Sequence, residues 1–215
     1  MRHLAVVTGL AAEAAQIRAA ARRLGASPPP IACATGPEPA AALCRRLIAE
    51  GAEAIVSFGV CGGLDPALRP GDLVLAEAAC TAPDGPGAFS PVPPDPMPLD
   101  PDLRTHLATA LARAGVAVHG GTVAGCTRPV ATVFDKRTLA AATGAVIVDM
   151  ESYGVARAAQ AVGMPVAVLR AVLDPARQSV PRAALAAATP DGQIHLGAMI
   201  AALARRPWEV AAMIR

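Results

Sequence analysis

The sequence predicts an α/β protein: one domain over residues 1–215, built as three α/β/α layers around a mostly parallel mixed sheet. Three observations predict it. Strand-like apolar runs alternate with helical segments along the chain, the order that builds a parallel sheet with helices on both faces. Several runs, Ala54–Val60 (Ala-Ile-Val-Ser-Phe-Gly-Val) foremost, are apolar almost throughout, as strands covered on both sides must be. Hydrophobic residues make up 53% of the chain but aromatics only 2%, so the core must be Ala, Val, Leu and Ile, side chains that let helices pack closely on a sheet.

Taken in order, His3–Val7 reads as a buried strand, Thr8-Gly9 as a turn, and Ala11–Leu24 as a helix with Arg18, Arg22 and Arg23 on its solvated side. Pro28-Pro29-Pro30 breaks the chain before a short strand, Ile31–Ala34. Pro39–Glu50 is a helix opened by proline and closed by Gly51. Ala54–Val60 is a central strand, Cys61–Pro66 a glycine turn, and Leu73–Ala78 a further strand. Thr81–Pro101 is rich in Pro and Gly without periodicity and reads as one long surface loop, a length that tends to be functional. There follow helix Asp102–Ala114, strand His119–Ala124, helix Asp135–Ala142, strand Ala145–Val148, helix Glu151–Val162 and strand Pro165–Val172. A connection marked by Pro175, Pro181 and Pro190 leads to a helix from about His195 to Arg205 and a last helix, Trp208–Arg215.

Composition removes several functions. The formal net charge of +2 is too small to imply a nucleic-acid partner. Lys136 is the only lysine, and the arginine bias, with abundant Ala and Pro, reads as GC-rich coding. The five cysteines (Cys33, Cys44, Cys61, Cys80, Cys126) are odd in number and widely spaced, which fits a reducing cytoplasm and no metal centre. His3, His106, His119 and His195 form no metal motif either. The opening run Leu4–Leu10 is too short for a secretory signal, and no apolar run reaches the ~20 residues of a membrane span. GxGxxG, GxxxxGK[ST] and GxSxG are all absent, so dinucleotide-binding, P-loop and α/β-hydrolase readings fail. Arg205-Arg206-Pro207-Trp208 reads as a solvated helix end, with an interfacial anchor as the alternative.

The residues that could carry chemistry follow strands. Glu13, the glycines Gly59–Gly63, Glu151 and Asp174 each come after an apolar run, and ligands of open α/β sheets bind beyond the carboxyl ends of strands. If the strands are parallel neighbours, these residues share one edge. Each has a plainer reading. Glu13 and Glu151 stand in first helical turns, where a carboxylate suits the backbone N–H groups. Asp174-Pro175 is common turn chemistry, and Cys61 is a small packing residue before it is a nucleophile. Two carboxylates so placed could hold a ribose with one and protonate a leaving purine with the other.

The ordered set resembles the nucleoside phosphorylase and nucleosidase superfamily over nearly the whole chain. Ser57–Pro66, continuing through Gly71-Asp72-Leu73-Val74, is similar to that family's glycine turn and following strand start. Val148–Ser152 resembles its Met-Glu ribose motif, Arg170–Asp174 its Arg-x-x-x-Asp purine motif, and Thr8–Glu13 the N-terminal turn of the methylthioadenosine/adenosylhomocysteine nucleosidases. Within the superfamily, Val7–Leu10, Gly63–Asp72 and Thr189–Gly192 leading to Leu196-Gly197 are most similar to the hopanoid-associated phosphorylases, which remove adenine from adenosylhopane.

The resemblance implies roles. By that resemblance Glu151 would bond the ribose hydroxyls and steady the cationic sugar, with Met150 packed beneath, Asp174 would protonate or hydrogen-bond purine N7, and Glu13 matches the residue that activates water in the hydrolases. Cys61, Gly62, Gly63, Phe134 and Arg170 are candidate substrate-binding residues. No metal or organic cofactor is implied. Inorganic phosphate is the alternative nucleophile, with Arg18 or Arg128 as its candidate charge, although neither sits in a matched motif and Glu13 would repel a phosphate. The acid chemistry thus leans toward water and the subfamily's name toward phosphate. The implied setting is a cytoplasmic homodimer, touching the inner membrane face if its substrate is lipid-tailed. A soluble nucleosidase or phosphorylase, or a non-catalytic nucleoside binder, are the rival readings. Two positions depart from the family pattern: Leu173 where relatives often carry Ser, and Val60 where the nucleosidases carry Ser.

Overall fold

A computed structural model describes residues 3–82 and 95–180. The elements in chain order are β1 (Leu4–Thr8), α1 (Ala11–Arg23), β2 (Ile31–Cys33), α2 (Pro37–Ala49), β3 (Ala54–Gly63), β4 (Leu73–Leu75), β5 (Ala78–Thr81), β6 (Met97–Pro98), α3 (Pro101–Arg113), β7 (Val118–His119), β8 (Thr122–Gly125), α4 (Val133–Thr143), β9 (Ile147–Asp149), α5 (Ser152–Gln160) and β10 (Val166–Asp174). The two C-terminal helices expected from His195 to Arg215, the basic Trp208 segment and most of the Thr81–Pro101 loop lie outside the described residues.

The strands form one mixed sheet in the order β6-β5-β8-β9-β3-β10-β4-β7, with β1 beside β3 and β2 beside β1. Most neighbours are parallel; β3 with β9, β10 with β4 and β5 with β6 run antiparallel. This is the mixed α/β architecture the alternation predicts. Its centre is β3 and β10, whose Ile55, Val56, Val166, Ala167 and Val168 are all buried. The helices are set by local chemistry. Asp100 caps α3 by accepting from the Leu103 N–H at 2.7 Å, with Pro101 opening the helix. Thr132 caps α4 through the Asp135 N–H, and Gly144 closes it in the left-handed region. Helix α5 lies against α2 at Gly154, where any Cβ would strike the Pro37 carbonyl.

Three local expectations change. Cys61-Gly62-Gly63 is no turn but the end of β3, because β10 continues to pair with it there and β9 joins at Gly62 and Gly63. The run Leu73–Ala78 splits in two: the Ala76 N–H bonds Val168 on β10 while the Glu77 N–H bonds Gly121 next to β8, so the chain changes partner at that point. Met97–Pro98, inside the expected loop, is a short strand against β5.

The feature that makes room for a site is a split beside β3. On the side away from β10, β1 pairs with β3 only as far as Thr8 opposite Phe58. β9 pairs there only from Val148 opposite Gly62. Since β9 runs antiparallel to β3, it approaches β1 end to end. The stretch Gly59–Cys61 faces the gap between their tips.

Candidate active site

Glu13, Glu151 and Asp174 all line one cleft at this gap, together with Gly9, Leu10, Cys61, Gly62, Arg128, Val148, Asp149, Met150 and Leu173. The sequence pattern alone implies a row of parallel strand ends. The structure corrects it: Glu151 arrives from the antiparallel β9, and the acids converge because β1 and β9 point at each other across the gap.

Glu13 is held by backbone alone. Its Oε2 accepts from the Gly9 and Leu10 N–H groups at 3.0 and 2.9 Å, closing the start of α1. Its Oε1 accepts from the Val60 N–H at 2.9 Å. That N–H belongs to the part of β3 left without a strand by the gap, and the side chain takes the place of the missing ladder bond. Glu13 is therefore both the helix-start acid and a carboxylate fixed in the cleft.

Glu151 is buried, with Gly36 N–H donating to Oε1 at 3.1 Å and Arg170 Nη2 at 3.8 Å from Oε2. Gly9 gives it room; a Cβ there would come within 3.0 Å of the carboxylate. Burial pushes its pKa from 4.5 up to about 7, Arg170 and the Gly36 N–H opposing, Asp149 and Glu13 adding to the rise. The unfolded chain gives up this proton near the ordinary value, whereas the folded protein keeps it to about 7. Glu151's contribution to stability is thus fully present at low pH and is lost as pH rises through its folded pKa. Glu151→Gln is expected to be more stable than the parent at pH 8 by roughly 1–3 kcal/mol, with the difference vanishing near pH 4.5. Urea unfolding at the two pH values checks this; a variant weaker than the parent at pH 8 would contradict it.

Asp174 ends β10 past a bulge. Val172 pairs with Cys61 and Asp174 with Gly62, leaving Leu173 as the extra residue. Bulges re-aim the side chains that follow them. Here the bulge turns Leu173 outward to the cleft mouth, 64% exposed, and sets the Asp174 carboxylate over Gly62. Burial raises the Asp174 pKa, and an ammonium bonded to it, Lys136 Nζ, pulls the other way.

Met150, Cys61, Gly62 and Arg128 do line the cleft, Arg128 at its exposed rim. The structure places four expected residues elsewhere. Arg170 is wholly buried beneath the site: its Nε meets Asp149 at 2.6 Å, and its Nη2 donates to Ser57 and Ser152 at 2.8 and 3.0 Å. It cannot touch a ligand, because the carboxylates above it close it off. Gly63 packs under Pro175. Phe134 is 76% exposed on the first turn of α4, and Arg18 is exposed on α1; neither lines the cleft.

Two residues have no role in the sequence reading and a large one here. Asp149 is the buried partner of Arg170 and accepts from the Ser152 N–H and hydroxyl. Lys136 is fully buried against Asp174. A lone lysine in an arginine-rich chain is the one sequence signal that could have marked it. Among the described residues, no group of three His, Cys, Asp or Glu side chains could hold a metal ion.

A sequence profile described as the phosphorylase superfamily matches residues 5–205. The futalosine hydrolase of Streptomyces coelicolor is 33% identical over 135 residues, 56% of this chain and 53% of that protein, so the match spans about half the relative's length. A 5′-methylthioadenosine/S-adenosylhomocysteine nucleosidase from Campylobacter jejuni superposes over 94% of this chain and 96% of its own, with TM-score 0.72 and 18% identity. The futalosine hydrolase of Helicobacter pylori covers 81% of this chain and 88% of its own, with TM-score 0.68 and 20% identity. At those identities the two structures establish a shared fold.

Proposed function

The chain belongs to the phosphorylase superfamily, and from that premise we propose that it is a purine nucleosidase that cleaves the C1′–N9 bond with water as the nucleophile. One observation carries the choice of water. The described cleft lining holds four carboxylates, Glu13, Asp149, Glu151 and Asp174, against one exposed cation, Arg128. The two buried cations nearby are already bonded to Asp149 and Asp174. A phosphate dianion needs several donors and positive charge. Glu13 would repel it, and so would Glu151 once it has ionised above about pH 7, whereas water asks only for a base.

In this reading Glu13 takes a proton from water as its oxygen bonds C1′. The C1′–N9 bond breaks, its electron pair goes to the purine, and Asp174 supplies a proton to N7. Departure of the base leaves a cation-like sugar, which Glu151 stabilises in a site with little water. Met150 lies under the ribose. No metal or organic cofactor takes part.

The 5′ side of the substrate is the finer question. Leu10, Pro129, Val130, Leu173 and Val180 give the cleft an apolar lining, which suits an apolar 5′ group. With the resemblance to hopanoid-associated enzymes, this supports adenosylhopane as substrate, met at a membrane surface by a homodimer. Among the described residues no helix is long and apolar enough to cross a membrane. The compounds named in the relatives' descriptions, methylthioadenosine, adenosylhomocysteine and futalosine, are the competing substrates.

Base release from adenosylhopane, methylthioadenosine and futalosine, each with and without phosphate and followed by HPLC, tests both levels. The expected result is free base and free sugar independent of phosphate, fastest for the apolar-tailed nucleoside. A sugar phosphate formed only with phosphate would overturn hydrolysis. Faster turnover of futalosine or methylthioadenosine would overturn the lipid substrate alone.

A further inference from the structure

Lys136 is the only lysine of the chain and it is fully buried, on the first turn of α4. Its Nζ donates to the backbone carbonyls of Asp174, Pro175 and Gln178 at 3.3, 2.9 and 2.8 Å, and to Asp174 Oδ2. An ammonium has three protons. Three carbonyls already match them, so pinning the turn after β10 does not require the carboxylate. The carboxylate is a fourth acceptor, and it belongs to a residue facing the cleft.

We propose that Lys136 is the positioning residue of the purine-protonating acid: it occupies Oδ2 of Asp174, leaves Oδ1 as the oxygen that faces the base, and is the counter-ion of the carboxylate formed when the proton has gone. The inference rests on the proposed role of Asp174. A proton on Asp174 must sit on Oδ1, because Oδ2 already accepts from the ammonium. When that proton moves to N7, the negative charge left behind lies against a fixed positive one, in surroundings of low dielectric where the attraction is strong. The charged and titratable groups around Asp174 are few. Lys136 comes from α4. Cys61 comes from β3, its thiol kept neutral by burial. Glu13, Asp149, Glu151 and Arg128 line the rest of the cleft. Among the described residues Lys136 supplies the side chain that bonds the carboxylate, beside the backbone N–H of Asp174 itself. Burial raises the pKa of Asp174, and Lys136 limits that rise. Burial thus favours the protonated acid, and the ammonium favours the carboxylate left after the proton has gone.

Lys136→Met removes the charge while keeping an unbranched apolar chain. For a purine nucleoside, kcat is expected to fall about tenfold to a hundredfold, less than the roughly 10²–10⁴-fold that a positioned acid is worth. The alkaline limb of the pH–rate profile is expected to move to higher pH, because the ammonium that lowers the Asp174 pKa is gone, and Lys136→Arg to bring it back. p-Nitrophenyl riboside, whose leaving group needs no N7 proton, is expected to lose far less. An unmoved alkaline limb, or equal losses on both substrates, would overturn the proposal, since a merely structural lysine predicts both. A second measurement does not depend on the variant folding or on turnover. Protein labelled with 13C-lysine gives one lysine spin system, whose chemical shift is expected to change as Asp174 gains or loses its proton and to stop doing so in Asp174→Asn. A lysine signal indifferent to Asp174 would overturn the proposal even where the parent hydrolyses purine nucleosides. A parent that cleaves none, but whose lysine signal follows Asp174, would instead overturn the proposed function.

Discussion

Glu13→Gln is expected to lower kcat for the nucleoside substrate by roughly 10²–10⁴-fold, with little change in KM. The carboxylate is aimed by three backbone N–H groups, from Gly9, Leu10 and Val60, and all three point at oxygen. Glutamine offers one oxygen and one NH2. Whichever way the amide turns, it presents N–H to at least one of these donors, so a buried or half-buried backbone group loses its partner. That defect costs roughly 1–3 kcal/mol of stability, and activity should be compared at a temperature where both proteins are folded. Isothermal titration with a substrate analogue separates the two effects: binding is expected to persist while turnover is lost. Turnover within threefold of the parent in a folded Glu13→Gln protein would remove Glu13 as the base. Gly59→Ala is a steric counterpart, since the added methyl collides with both Glu13 Oε1 and Arg170 Nη1.

Arg170→Met is expected to be the most destabilising change in the site, by about 3–5 kcal/mol. Arg170 is fully buried, and with it gone Asp149 loses its counter-charge and retains the bonds from Ser152, while Glu151 loses the cation that opposes its burial. A buried carboxylate without a partner costs far more than the pair contributes. Chemical denaturation measures the loss. The double variant Arg170→Met, Asp149→Asn is expected to recover part of it, because the second change removes the stranded charge; additive losses would show that the two side chains act independently. The same argument explains why Arg170 sits under the site and not in it. Its charge holds Asp149, Ser152 and Ser57 in place, joining β3, β10 and the start of α5 below the cleft. Gly59, opposite Arg170 in the β3–β10 register, leaves the space through which the guanidinium passes.

How much of this was legible in the chain depends on the range of the interaction. Alternation of apolar runs with capped helices is local, so β1, α1, α2, β3, α3, α4, α5 and β10 fall within a few residues of their expected places. The acids after strands are local as well, and Glu13, Glu151 and Asp174 do meet in one cleft. Glu13 reads as an ordinary helix-start acid because it is one; its bond to Val60, 47 positions away, has no local trace. Arg18 faces solvent, as its place on the solvated side of α1 implies, and Phe134, a candidate for substrate binding, faces solvent as well, since a helix's sequence fixes which residues share a face but not what that face meets.

Local pattern was enough for the α/β class, the nature of the core and the three acids of the candidate site, because hydrophobic period, caps and glycine or proline punctuation act over a few residues. The remaining features depend on how distant segments pack. Packing turned β9 antiparallel to β3, brought its tip against that of β1, let β10 bulge at Leu173, and set Arg170 on Asp149 and Lys136 on Asp174. The physical reason is the same in each case. Strand partners and buried charge pairs are chosen by the free energy of the whole packed sheet, in which a lysine or arginine can leave water only where distant parts of the chain supply its counter-charge.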